Sequence, residues 1–318
     1  MAHLAAKVLE ADFIVIRRGP LTLRNRLCSI LPRKGQSVCG LLICPQPADL
    51  ASVLMLEDLH KRYRRLAAWV FDSFWTDYIP RFMKWSKVFD IIFVTEMEDI
   101  PLWSKMVRPP VSWLPWGSDV LGLGSANAMR STDLLRFGRQ PPEWDDDTSI
   151  ANTCALIGLR FHGRPPFFTD ELEGERALMG LLRTTKFTLS FSNRVSPSVQ
   201  THPRREYITG RWTDALSAGA IVAGVPPKNE SAREVLWDGA LLDLGTTDRR
   251  QGIRLVADAV AHWTPIRAEQ NYVRSLESLD WRWRFQRLAA ELGVSSVTLD
   301  SEIKRMHQMI KERRPGTV

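Results

Sequence analysis

Short apolar runs alternate with longer helix-compatible segments along the whole 318-residue chain, a pattern that restricts the fold to parallel sheets built from strand-helix-strand units. In the first part the runs are FIVIRR (13–18), VCGLLIC (38–44), AAWVFD (67–72), FDIIFVT (89–95) and VSWLPW (111–116). Between them, PADLASVLMLEDLHKRYRRL (47–66) is apolar at helical spacing. After GLGSANAMRST the pattern restarts with DLLRFGR (133–139), GLRFHGR (158–164), KFTLSFSN (186–193), AIVAGV (220–225) and ALLDLG (240–245). The restart predicts an α/β chain of two doubly wound, Rossmann-like domains, 1–128 and 129–318, facing across a cleft, with the C-terminal helices packing back. In open parallel sheets a ligand sits beyond the carboxyl ends of the strands, where helix N-termini and loops converge.

Composition supports cores that need no disulfide or metal, with 44% hydrophobic and 25% charged residues. Cys28, Cys39, Cys44 and Cys154 form no C-x-x-C pair and lack zinc-ligand spacing, so they read as reduced, mostly buried thiols. The N-terminal stretch has acids before its apolar run and no cleavable leader pattern, and no apolar run approaches the roughly 20 residues that span a bilayer. The expectation is a cytoplasmic protein. A net charge of +7 points to anionic partners: nucleotide phosphates, an anionic membrane or nucleic acid. HKRYRR (60–65) and KERR (311–314) concentrate this charge, although solvated helix faces account for them equally well. The mixed aromatic and basic segment YIPRFMKWSKVF (78–89) suits either a peripheral membrane contact or packing against a sheet. The G-x-G-x-x-G and G-x-x-x-x-G-K-[ST] phosphate motifs are absent, which counts against nicotinamide and P-loop chemistry.

Chemistry concentrates in REYITGRWTDALSAGAIVAGV (205–225). Glu206 and Asp214 stand eight positions apart, about 12 Å along a continuous helix, but Gly210 interrupts the span. Glu206 is therefore expected on the loop leading in, the helix starting near Thr209 to Arg211, and Asp214 one turn inside. A helix start offers unpaired N–H groups and a positive dipole end suited to phosphate.

The order acid, seven residues, acid, then ALxAG and an apolar strand resembles the donor-site motif of the retaining GT-B glycosyltransferases of family 4. In that family both acids are Glu and an EAxAxGxPV helix and strand follow; here the second acid is Asp214 and Ala220-Ile221 stand where x-Pro is common. The resemblance implies that Glu206 contacts the donor sugar and Asp214 the ribose hydroxyls. LLRFGRQP resembles the first donor-domain strand ending in Gly-Arg, which gives Gly138 and Arg139 to the diphosphate. The lysine usual a few positions later has no counterpart, leaving Arg164, Lys186, Arg194 or Arg211 as the second cation. VSWLPWGSDV resembles the lPxGxD turn of glycosyltransferases related to the spore maturation protein CgeB. Together these segments span about residues 69–245, matching as an ordered series more than at any one place.

The resemblance implies a metal-independent glycosyltransferase with no cofactor beyond a nucleotide-diphosphate sugar as donor substrate, acting with retention. The acceptor stays open among glycan, lipid-linked, small-molecule and DNA classes, and the oligomeric state is not set. Such a donor needs cations at the diphosphate, an acceptor for the ribose hydroxyls and groups that orient the sugar. Arg139 and Arg211, Asp214, and Glu206 with Asn193 match those needs. His202 stands beside them as either a donor contact or a loop histidine, and Asp72, at a strand end, is the acceptor-side candidate. WDDDT (144–148) reads as a turn and N-cap rather than a metal site. Trp281 and Trp283 read as packing anchors rather than sugar platforms. Two other readings remain: a GT-B enzyme acting on DNA bases, and a nucleic-acid-binding or scaffold protein on a degenerate GT-B fold.

Overall fold

A computed structural model describes residues 1–16, 19, 20, 22, 38–56 and 59–314. The chain forms two compact units, Met1–Pro115 with Arg284–Ser301, and Trp116–Trp283 with Glu302–Val318. The first division thus falls between Pro115 and Trp116 rather than after residue 128, and the chain returns to the first unit for one late segment. That boundary lies inside VSWLPW (111–116), the fifth apolar run. Only Val111–Trp113 of it is strand, and Trp116 to Asp119 belong to the second unit, where Thr213 Oγ1 donates to Gly117 O at 2.8 Å and Ser118 N to Leu279 O at 2.9 Å.

The first unit holds β1 (Val38–Cys44), β2 (Tyr63–Val70), β3 (Ile91–Val94) and β4 (Val111–Trp113), all parallel and adjacent in that order. Their near-continuous apolar runs follow from burial on both faces. Leu42, Ala68, Val70, Ile92 and Val94 form one core with Leu50, Val53 and Trp103. Two expectations fail here. Residues 13–16 lie outside any strand, because among the described residues β1 pairs only with β2; residues 17 and 18 lie outside the described chain. The segment 47–66 is not one helix: a 3-10 helix covers Pro47–Met55, a short helix Leu59–Arg62, and Tyr63 already opens β2. Tyr63 packs so tightly on Gly40 that a Cβ there would lie 2.9 Å from its ring, so strand packing overrides the helical period.

Residues 79–88 form a helix (Ile79–Phe82) and a 3-10 helix (Met83–Val88), and Ile79, Phe82 and Val88 join the sheet core. Packing claims these three side chains, while Met83 in the same segment stays exposed. Among the described residues no helix is long and apolar enough to cross a membrane. The late segment is tied to the start of the chain: Ser296 Oγ donates to Val8 O at 2.6 Å, Thr298 Oγ1 to Glu10 Oε1 at 2.6 Å, and Arg65 Nη1 to Glu291 O at 2.8 Å.

The second unit holds β5 (Thr132–Arg136), β6 (Phe161–His162), β7 (Thr185–Phe191), β8 (Ile221–Val225) and β9 (Leu241–Asp243), all parallel in the order β6-β5-β7-β8-β9. The chain moves one way from β5 to β6 and the other way from β7 onward. The order reverses between β5 and β7, which makes that crevice the topological switch point of a doubly wound sheet. β7 and β8 approach so closely that a Cβ on Gly224 would fall 1.7 Å from Ser190 O.

WDDDT proves to be a cap and a clamp: Asp146 caps the helix Asp147–Ala155 by accepting from Ser149 N, while Asp145 and Asp147 hold the buried Arg136 guanidinium. A second cluster closes the unit at the turn after Pro115. Arg282 donates from Nη1 to Asp119 at 2.6 Å and Asp280 at 3.1 Å, and from Nε to Glu302 at 2.5 Å. Asp280, fully buried, also accepts from Leu121 N at 2.7 Å. Trp281 is buried against Trp116, 6.4 Å between ring centroids, and Trp283 donates to Leu276 O, so both serve packing.

Among the described cysteines, Cys44 and Cys154 are buried and Cys39 half-buried, all three unbridged; Cys28 lies outside the described residues.

Candidate functional site

The loops at the switch point carry most of the candidates. After β5 the backbone turns through Gly138 at φ +68°, and a Cβ there would meet Arg211 Cδ at 2.5 Å. Both the positive φ and the Arg211 stem demand glycine. Arg139 follows, and its Nε donates to Ser196 O at 2.8 Å and Ser196 Oγ at 3.2 Å on the loop after β7. Its carbonyl accepts from Arg211 Nη1 at 2.8 Å. Burial first, and then the Arg139 charge, pull the Arg211 guanidinium down to about 10. Neither guanidinium meets a carboxylate among the described residues, so two positive charges share the crevice with only neutral partners.

Arg211 sits in the first turn of the helix Gly210–Ser217, whose extended N-cap Thr209 makes no side-chain cap bond. The Thr209 carbonyl nevertheless accepts from Trp212 N at 3.1 Å, so the cap at this turn is made by backbone rather than by a side chain. Asp214 lies one turn in, half-buried, and its Oδ2 would stand 3.1 Å from a Cβ on Gly210. Burial pushes its carboxyl up to about 7, with the Ser118 hydroxyl bond pulling the other way and Glu175 adding to the rise.

Glu206 lies on the loop before the helix. Ser192 Oγ donates to its Oε1, Lys228 N donates to its Oε2 at 3.2 Å, and Asn229 Nδ2 donates to its carbonyl at 3.0 Å. The carboxylate thus joins the ends of β7 and β8 with partners that are all uncharged. Asn193 and His202 fold the same loop. Asn193, buried, donates from Nδ2 to His202 O at 2.9 Å and Arg205 O at 2.8 Å, and its Oδ1 has no protein partner. His202 Nδ1 accepts from Arg204 N at 3.2 Å and Arg205 N at 3.0 Å, which gives the ring a loop-organising role.

Three of the four candidates for the second cation are committed elsewhere. Lys186 pairs with Asp133 at 2.7 Å near the amino end of β7, the wrong edge for a ligand at the carboxyl ends. Arg194 Nη1 donates to Pro203 O at 3.2 Å and Arg204 O at 3.4 Å, and Arg164 pairs with Asp145 at 3.3 Å. Arg211 alone stands beside Arg139. Among the described residues, no three His, Cys, Asp or Glu side chains group as metal ligands.

Asp72 belongs to the first unit and lies just past β2, its N–H donating to Pro45 O at 2.7 Å. Burial, and secondly the Asp49 carboxylate, raise its carboxyl to about 6. The structure thus gathers Gly138, Arg139, Asn193, His202, Glu206, Arg211 and Asp214 in one unit and leaves Asp72 in the other. Sequence reasoning missed Ser192, Ser196, Lys228 and Asn229 in the second unit and Asp49 in the first. A detectable signal existed for two of them: Ser192 directly follows the apolar run of β7, and Asn229 is the N-cap of Glu230–Val235.

No protein-family model and no curated protein matches the sequence. Solved structures similar to it include a UDP-forming alpha,alpha-trehalose-phosphate synthase from Burkholderia vietnamiensis (12% identity, 84% of this chain and 76% of that one, TM-score 0.48). The pneumococcal O-GlcNAc transferase GtfA, in complex with UDP and GlcNAc, is another (13% identity, 80% and 56%, TM-score 0.48). A third is the S. aureus TarM G117R mutant in complex with Fondaparinux, alpha-GlcNAc-glycerol and UDP (10% identity, 85% and 55%, TM-score 0.43). The chain spans about half the length of the last two. Likeness at this level leaves substrate and chemistry to be argued from the residues themselves.

Proposed function

We propose that the chain is a glycosyltransferase using a nucleotide-diphosphate sugar as donor, without a metal requirement and with retention of configuration. The observation that carries this reading is the pair Arg139 and Arg211, set without acidic partners among the described residues at the switch point beside an N-terminal helix turn. Such an arrangement suits a diphosphate, and positive charge fixed there stabilises the charge that grows as the anomeric carbon–oxygen bond breaks. Glu206 orients the sugar hydroxyls and Asp214 holds the ribose.

A thermal-shift experiment with UDP and GDP tests the reading. A nucleotide at a hundred times its Kd stabilises the fold by about 2.7 kcal/mol, and Arg211→Ala is expected to abolish most of that shift. Absence of any shift with either nucleotide in the unmodified protein overturns the proposal.

Asp214 adds a pH dependence. Its folded-state pKa of about 7 lies above the usual 3.8, so its contribution to stability is fully present below about 3.8 and is lost as pH rises through 7. The ionised form is the stronger acceptor for ribose hydroxyls, so nucleotide affinity should climb across the same interval. Asp214→Ala should flatten both profiles and weaken nucleotide binding at pH 8 by about 1–3 kcal/mol. Titration calorimetry between pH 5.5 and 8 reads the effect, and an unchanged affinity in the variant removes Asp214 from the ribose contact.

A further inference from the structure

We infer that Lys228 selects an anionic sugar, its ammonium receiving a carboxylate on the transferred group, as in a uronic acid. This rests on the donor-site reading above, and specifically on Glu206 marking the sugar end.

Lys228 lies on the loop after β8, at the same carboxyl edge of the sheet as the loops that carry Arg139 and Glu206. Its backbone is held from several sides. Pro226 and Pro227 precede it and fix φ at two successive positions. Its own N–H is bonded to Glu206 Oε2 at 3.2 Å. Asn229, which follows, donates from Nδ2 to Glu206 O at 3.0 Å and caps the next helix by accepting from Ala232 N at 2.9 Å. The lysine stem therefore starts from a fixed point beside the sugar-contacting acid.

An ammonium in this position would ordinarily be read as the counter-charge to Glu206. The bonding excludes that: Ser192 Oγ–H and the Lys228 backbone N–H supply the carboxylate oxygens, and no ion pair joins the Lys228 side chain to Glu206, to the exposed Glu230 nearby, or to any other described acid. Lys228 is exposed, and the Glu206 oxygens accept from neutral donors rather than from its ammonium. Arg139 after β5, and Arg211, whose guanidinium reaches the Arg139 carbonyl, serve the diphosphate and leave Lys228, after β8, to a separate anion. A neutral hexose offers it only hydroxyl acceptors, whereas a carboxylate forms a charge-assisted hydrogen bond.

The experiment measures affinities of the whole chain for UDP-glucuronic acid against UDP-glucose, and GDP-mannuronic acid against GDP-mannose. The acidic member of the pair carrying the accepted base is expected to bind roughly ten- to a hundredfold tighter. Lys228→Ala keeps the backbone N–H on Glu206 and should bring that ratio to about one, while Lys228→Arg should retain a preference. A ratio at or below one in the unmodified protein, or a preference that survives Lys228→Ala, overturns the inference. Binding of UDP and UDP-glucose without acidic preference defeats this inference alone; failure of all four donors and of both free nucleotides defeats the donor-site reading with it.

Discussion

Replacing Arg282 with alanine is expected to lower the stability of the second unit by about 3–5 kcal/mol, the cost of stripping the partner from buried charges. One guanidinium holds Asp119, Asp280 and Glu302, which come from three separated stretches of chain. Burial raises the Asp280 carboxyl above its usual range even with the arginine in place, so without it the acid is left protonated or uncompensated. Lysine supplies charge without the planar fork and should recover only part of the loss. Urea unfolding followed by tryptophan fluorescence reads the effect. A midpoint shift no larger than that of a surface substitution would mean that the cluster contributes little.

Glu206→Gln is expected to reduce sugar transfer or donor hydrolysis at least about a hundredfold, the scale seen when one oriented polar group is removed from a reacting centre. Glutamine keeps the shape but presents one NH2 where the native group accepts at both oxygens. Either Ser192 Oγ–H or the Lys228 N–H then faces a donor, costing about 1–3 kcal/mol of stability. The two readouts separate the roles. A variant that melts lower but keeps full turnover would make Glu206 a brace for the β7 and β8 loops, and the donor-site assignment would fail.

Much of the parallel-sheet plan was legible because buried strands read as unbroken apolar runs; nine of the ten expected runs overlap a strand of the structure. The tenth, at 13–18, shows what a run cannot say: it advertises strand propensity but not a partner, and residues 13–16 pair with no strand among the described residues. Tyr63 shows the same limit from the other side, since its contact with Gly40 is invisible to a helical period. At the site, the placement of Glu206 on a loop and of the helix start at Gly210 followed from local rules for glycine and capping. The choice of Arg211 over Lys186 did not, because it depends on which end of β7 each side chain occupies and on an acid, Asp133, from another strand. Lys228 was illegible for the same reason: a backbone N–H acquires meaning only once two loops meet on one carboxylate. His202 Nδ1 accepts from two backbone donors, an organising role within its own loop that the sequence alone does not display.

The return of Arg284–Ser301 to the first unit bears on how the polypeptide matures during synthesis. Val8, Glu10 and Arg65 emerge from the ribosome early, yet the groups they bond, at Ser296, Thr298 and Glu291, are translated only after nearly all of the second unit. Domains that fold as they emerge finish in order from the amino end; here the unit begun before the other is the one kept waiting, with part of its surface uncovered until residues 284–301 have been made.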